Sequence, residues 1–73
     1  MRNELLESLR SFIEIASIYR EDKDSYLFCT GRLYITILPG YIIFYDRLVN
    51  AARVLNLSEN DYLYLSFFAD LLC

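Results

Sequence analysis

Apolar and polar positions along this chain recur with a period that shifts from one segment to the next, and the shifts mark out its elements. Over residues 3–20 the period is helical. At about 100° per residue, Leu5, Leu6, Leu9, Phe12, Ile13, Ala16 and Tyr19 gather on one side, opposite Glu4, Glu7, Arg10, Ser11 and Glu14. An amphipathic first helix is predicted there. Ile18 falls among the polar positions and Ile15 on their border, which makes both candidates for contact with a partner.

Residues 21–25 (Glu-Asp-Lys-Asp-Ser) read as a solvated turn, because the three carboxylates lack the central glycine and terminal glutamate of a calcium loop. The period then becomes that of a strand. Tyr26-Leu27-Phe28-Cys29 and the run from Arg32 to Ile37 flank Thr30-Gly31 and predict a β-hairpin, pairing Cys29 with Arg32 and Phe28 with Leu33. Tyr26, Phe28, Leu33, Ile35 and Ile37 share the core face of that hairpin. Leu27, Cys29, Arg32, Tyr34 and Thr36 share the other, where Leu27, Arg32 and Tyr34 are candidate partner-binding residues.

Pro39-Gly40 ends the second strand. Residues 41–45 have a strand-like composition, but an L-proline at the first turn position favours turns that splay a hairpin. The segment is therefore expected to lead into a helix over residues 46–56, with Leu48, Ala51, Ala52 and Leu55 inside and Asp46, Arg47, Asn50 and Arg53 outside. Ser58-Glu59-Asn60-Asp61 then forms a capping-box pattern that starts a last helix, with Leu57 and Tyr62 placed as a hydrophobic staple. Glu59 and Asp61 complement the positive end of that helix.

Residues 62–73 are apolar or aromatic at every position except Ser66 and Asp70. A helix apolar nearly all round must be buried nearly all round. A chain of 73 residues buries only about 60% of the surface its unfolded form exposes. Cover from another molecule is expected, so Tyr62, Tyr64, Leu65, Phe67, Phe68, Leu71 and Leu72, together with Ile15 and Ile18, are the predicted interface. The expected fold is α+β: one domain over residues 1–73, with helix, hairpin and two helices (αββαα) and the C-terminal helix central or at a dimer interface.

Composition narrows the function by exclusion. Histidine is absent and the two cysteines stand apart, so neither a general base near neutral pH nor a metal-ligand set is available. No glycine-rich phosphate cradle occurs; no cofactor is expected, and an enzyme is not expected. The longest apolar runs fall short of a membrane span, and the net charge of −3 disfavours sequence-independent nucleic-acid binding. A charged, amphipathic N-terminus without a signal-peptide pattern places the protein in the cytoplasm by default. Seven tyrosines and five phenylalanines point instead to protein recognition.

Ala52-Arg53-Val54-Leu55-Asn56-Leu57-Ser58 resembles the middle of a helix-turn-helix, and the likeness extends over residues 48–67. It implies two helices about a tight turn and, functionally, a DNA-binding transcriptional regulator. The second helix, however, offers Glu59, Asn60, Asp61, Tyr62 and Tyr64, with no Arg or Lys from Val54 to the end, where base edges and phosphates need cations. The leading expectation is a small acidic protein-binding module acting as a homodimer through its C-terminal helix. Compact aromatic-rich domains of this size include phage- and virus-encoded inhibitors of a host protein, a likeness of class alone. The alternative is the helix-turn-helix-like DNA-binding transcriptional regulator, and a further one is a permanent subunit of a larger complex.

Overall fold

A computed structural model describes residues 3–72. Helix α1 (Asn3–Ile15) is followed by β1 (Ser17–Arg20), β2 (Tyr26–Cys29), β3 (Leu33–Leu38), β4 (Tyr41–Asp46) and β5 (Ala51–Asn56), and then by helix α2 (Glu59–Leu72). The strands make one antiparallel sheet in sequence order. The α+β class stands, but the αββαα order does not: five strands, rather than a hairpin, lie between two helices.

Both helices pack on one face of the sheet. Leu9 and Ile13 of α1 and Leu65 and Ala69 of α2 join Tyr26, Phe28, Ile35, Ile37 and Ile42 in a single buried cluster. The Arg10 guanidinium lies 4.5 Å from the Phe68 ring centre, and a shallow hollow gathers Asn3, Leu6 and Glu7 with Asn60, Asp61 and Tyr64. The helices therefore run side by side in the same direction.

The first helix ends at Ile15, short of residue 20, because the period changes there. Ile18 pairs with Phe28 and packs against the core, while Tyr19 points away from it. An isoleucine out of helical phase was the mark of a strand.

The β2–β3 hairpin turns about Gly31-Arg32 rather than Thr30-Gly31. The Thr30 N–H donates to the Leu33 carbonyl at 2.9 Å, and the Leu33 N–H donates to the Thr30 hydroxyl oxygen at 3.1 Å. Cys29 consequently pairs with Tyr34 and Phe28 with Ile35. A slip of two residues returns every side chain to the same face, so the inside and outside of the hairpin are unchanged.

The largest correction concerns residues 46–56. Leu38 pairs with Tyr41 across Pro39-Gly40, where proline and a glycine at φ 100° supply the two centres of a type II turn. The splaying tendency of that turn is overcome because β4 is paired along its whole length on both sides, to β3 and to β5. The next turn, residues 47–50, is held by the Leu48 N–H donating to Asp46 Oδ1 at 3.0 Å and by the Tyr45 hydroxyl donating to Asn50 Oδ1. Asn50 takes φ 53°, which asparagine accepts more readily than most residues. Leu48 is exposed, and of the predicted inner face only Leu55 packs against the core. Sheet pairing has overridden the helix propensity of Ala, Arg and Leu. The helix-turn-helix likeness thereby loses its first helix.

Helix α2 starts where the capping box places it. Ser58 Oγ accepts the Asp61 N–H at 3.2 Å, and Leu57 and Tyr62 line one groove. Ser58→Ala is expected to lower stability by about 1 kcal/mol. An unchanged midpoint in urea unfolding would show that the cap contributes nothing.

Candidate protein-binding surface

Among the described residues, no helix packs on the side of the sheet away from α1 and α2. Its central row runs Tyr19, Leu27, Thr36, Ile43, Val54 across the five strands, and the neighbouring row runs Ser17, Cys29, Tyr34, Tyr45, Ala52. Leu38, Tyr41 and Asn56 complete it. No strand position on this face is charged, although charged residues make up 23% of the chain. An antiparallel sheet with one solvated face ordinarily alternates apolar inward with polar outward. Here the open face carries apolar and aromatic side chains at most positions, with Ser17, Thr36 and Asn56 its polar ones. Five strands about 4.8 Å apart, each rising about 3.3 Å per residue, give a plan of roughly 300 Å² before side-chain relief. That is already in the range of the largest patch on a typical monomer, which is often functional.

Tyrosine gives this face its character. Tyr34 and Tyr45 are cross-strand neighbours with ring centres 6.4 Å apart, and the Arg47 guanidinium lies 5.3 Å from the Tyr34 ring centre at the rim. Rings of this kind supply contact area with few rotors to immobilise. At the same rim Arg32 pairs with Asp46, Nη2 to Oδ2 at 3.0 Å, and holds that carboxyl below the usual carboxylate range. Cys29, half-buried on the open face, is pushed up by burial and by Glu21, with Arg47 opposing. A thiol shifted in that direction has less thiolate character than a free cysteine.

A second apolar surface lies on α2. Leu63, Phe67 and Leu71 follow one another at intervals of four residues, between 55% and 64% exposed, with Tyr64 beside them. This stripe faces away from the buried side formed by Leu65, Ser66 and Ala69.

The predicted interface residues divide accordingly. Tyr64, Phe67, Leu71 and Leu72 are exposed on α2, and Ile15 is exposed at the end of α1. Leu65 is fully buried; Tyr62 and Ile18 are half-buried and pack against the core, and Phe68 lies half-buried beneath Arg10. Leu27 and Tyr34 stand on the open sheet face, whereas Arg32 sits in the turn at its rim, tied to Asp46. Sequence reasoning missed Leu63 and passed over Leu38 at the end of a predicted strand, and it missed Tyr19, Tyr41, Ile43, Tyr45 and Val54 because it gave their segments to helices or left them undecided. The uncharged, β-branched and aromatic run from 41 to 45 was the available signal.

A polar cluster braces the opposite end of the sheet. Asp70 Oδ1 accepts the Tyr26 hydroxyl at 2.7 Å and Arg20 Nη1 at 3.3 Å, and Arg20 Nη2 donates to the Lys23 carbonyl at 2.8 Å. The Tyr62 hydroxyl donates to the Asp24 carbonyl, so α2 is tied to the β1–β2 turn as well as to β2. Burial first, and then the hydrogen bond to Asp70, push the Tyr26 phenol up to about 12. An unfolded tyrosine ionises near 10. Below that pH both states are protonated and the contribution is complete; it is lost as pH rises from about 10 to about 12. Stability is expected to fall by about 2 kcal/mol across that window, and by less in Tyr26→Phe, as read from urea unfolding at stepped pH. Equal losses in both proteins would contradict the assignment.

Comparison with family models, with curated proteins and with solved structures finds no match to this chain. Among the described residues no helix is long and apolar enough to cross a membrane.

Proposed function

We propose that this chain is a non-enzymatic protein-binding module that acts as a homodimer and presents the open face of its sheet to a protein target. The observation that carries this reading is the uncharged, tyrosine-bearing face from Tyr19 to Val54, half-buried at its centre and exposed at Tyr19, Tyr41 and Val54, where an isolated domain normally places polar residues. Within the sheet the ladders use the backbone donors and acceptors, so the face offers side chains alone, and apolar and aromatic ones recognise a complementary protein surface. Helix α2, tied to β2 through Asp70 and to the β1–β2 turn through Tyr62, keeps that surface in one shape, which lowers the ordering cost of binding.

A photo-crosslinking residue placed at Tyr34, on the face, and in a second protein at Glu14, on the solvent side of α1, tests the reading. The face position is expected to capture one discrete protein that the helix position does not. Equal capture from both positions would contradict it.

A further inference from the structure

We infer that two copies of the chain join edge to edge through β5, in antiparallel register about Val54, so that the two open faces form one continuous surface. This rests on the homodimeric reading above and names its junction. β5 is a terminal strand of the sheet, six residues long, paired to β4 without a bulge and free of proline. Such an edge is a template for another strand. The other edge, β1, is four residues long and its Arg20 side chain is anchored to Asp70.

The hydrogen-bond phase of the sheet decides which groups are free. The Leu57 N–H donates to the Gly40 carbonyl at 2.9 Å, which places the odd residues of this strand toward β4. By alternation, the N–H and C=O groups of Ala52, Val54 and Asn56 point away from the sheet. They are spaced symmetrically about Val54, as a twofold axis requires. With Val54 opposite Val54 of the second copy, Ala52 faces Asn56 and all three positions bond, giving about six ladder bonds. That register also sets Arg53, the only charge on the strand, opposite Leu55 of the second copy. Moving the axis to Arg53 sets two arginines against each other and loses bonds. The twofold symmetry of the three free positions favours this chain's own copy over an unrelated strand.

Proline at position 54 separates the contributions. By the same alternation the Val54 N–H points away from β4, so Val54→Pro is compatible with the monomer's own ladder. Light scattering coupled to size exclusion, under reducing conditions and across a dilution series, is expected to give a two-chain mass for the parent and a one-chain mass for Val54→Pro, both with the same circular dichroism. Should the variant misfold, a second measurement decides. Opposed Cα atoms in such a pair lie about 5.5 Å apart, within disulfide reach. In a Cys29→Ser, Cys73→Ser background, Val54→Cys is expected to oxidise to a covalent dimer and Phe67→Cys is not. A parent that is one chain at every concentration, a dimer that survives Val54→Pro, or crosslinking from position 67 in place of 54 would overturn the junction. Capture from position 34 is read independently, so the target-binding reading stands or falls on its own.

Discussion

Phe28→Ala is expected to leave the isolated chain largely unfolded at room temperature. Phe28 is fully buried at the middle of β2, flanked by Ile18 and Ile35 in its own row, with its ring stacked on Tyr26 at 6.3 Å between centres. Removing a buried phenylalanine costs about 3–5 kcal/mol, from lost transfer energy and from a cavity that the surroundings fill only in part. A lone core of this size rarely supplies more than roughly 3–5 kcal/mol in total, so one substitution consumes the margin. The helices cannot close over the gap, because Leu65 and Ala69 are held in place by α2's ties to Tyr26 and to the Asp24 carbonyl. Leu63→Ala, on an exposed side chain, should change stability by less than about 0.5 kcal/mol. Thermal and urea unfolding by circular dichroism provide the comparison. A Phe28→Ala protein that unfolds alongside Leu63→Ala would refute the core assignment.

Ile43→Glu is expected to abolish target capture while leaving the fold in place. Ile43 lies on the open face, between Thr36 and Val54 in the central row. A glutamate there stays hydrated in the free chain, so its cost to folding is limited to lost cross-strand contact, on the order of 1 kcal/mol. In the complex the same carboxylate would be enclosed by apolar groups without a partner. Truncations and mispairings at the centre of an interface cost about 2–4 kcal/mol, and an unpaired charge lies at the upper end, a loss of at least about a hundredfold in affinity. Crosslinking yield from Tyr34 and the unfolding midpoint, measured on one preparation, separate the two effects. Undiminished capture with glutamate at position 43 would remove the face from the binding surface.

Local chemistry was legible in the sequence, and strand count was not. The cap at Ser58, the turn at residues 21–25 and the two faces of the 26–37 hairpin follow from features a few residues long, and the structure shows each of them. The hairpin's faces survived a wrong turn because a slip of two preserves side-chain direction. Residues 46–56 failed for the opposite reason. Ala51, Ala52, Arg53 and Leu55 carry helix propensity and a helical spacing, and their extended form depends on β4 beside them, a partner that local pattern does not contain. Misassigning β4 and β5 hid most of the open face, since only Leu27, Cys29, Tyr34 and Thr36 of it belong to the predicted hairpin. The outward stripe of α2 was expected from the surplus of apolar residues after Tyr62, and Leu63 was overlooked within it.

Oxidative footprinting of the tyrosines, in the captured complex and in the free chain, decides whether the open sheet face is the binding surface. Tyr19, Tyr34, Tyr41 and Tyr45 report on the face, and Tyr64 reports on α2. The expected result is protection of the face tyrosines in the complex with Tyr64 labelled as before. Protection of Tyr64 with the four face tyrosines unchanged would contradict the account and move the binding surface to the helix.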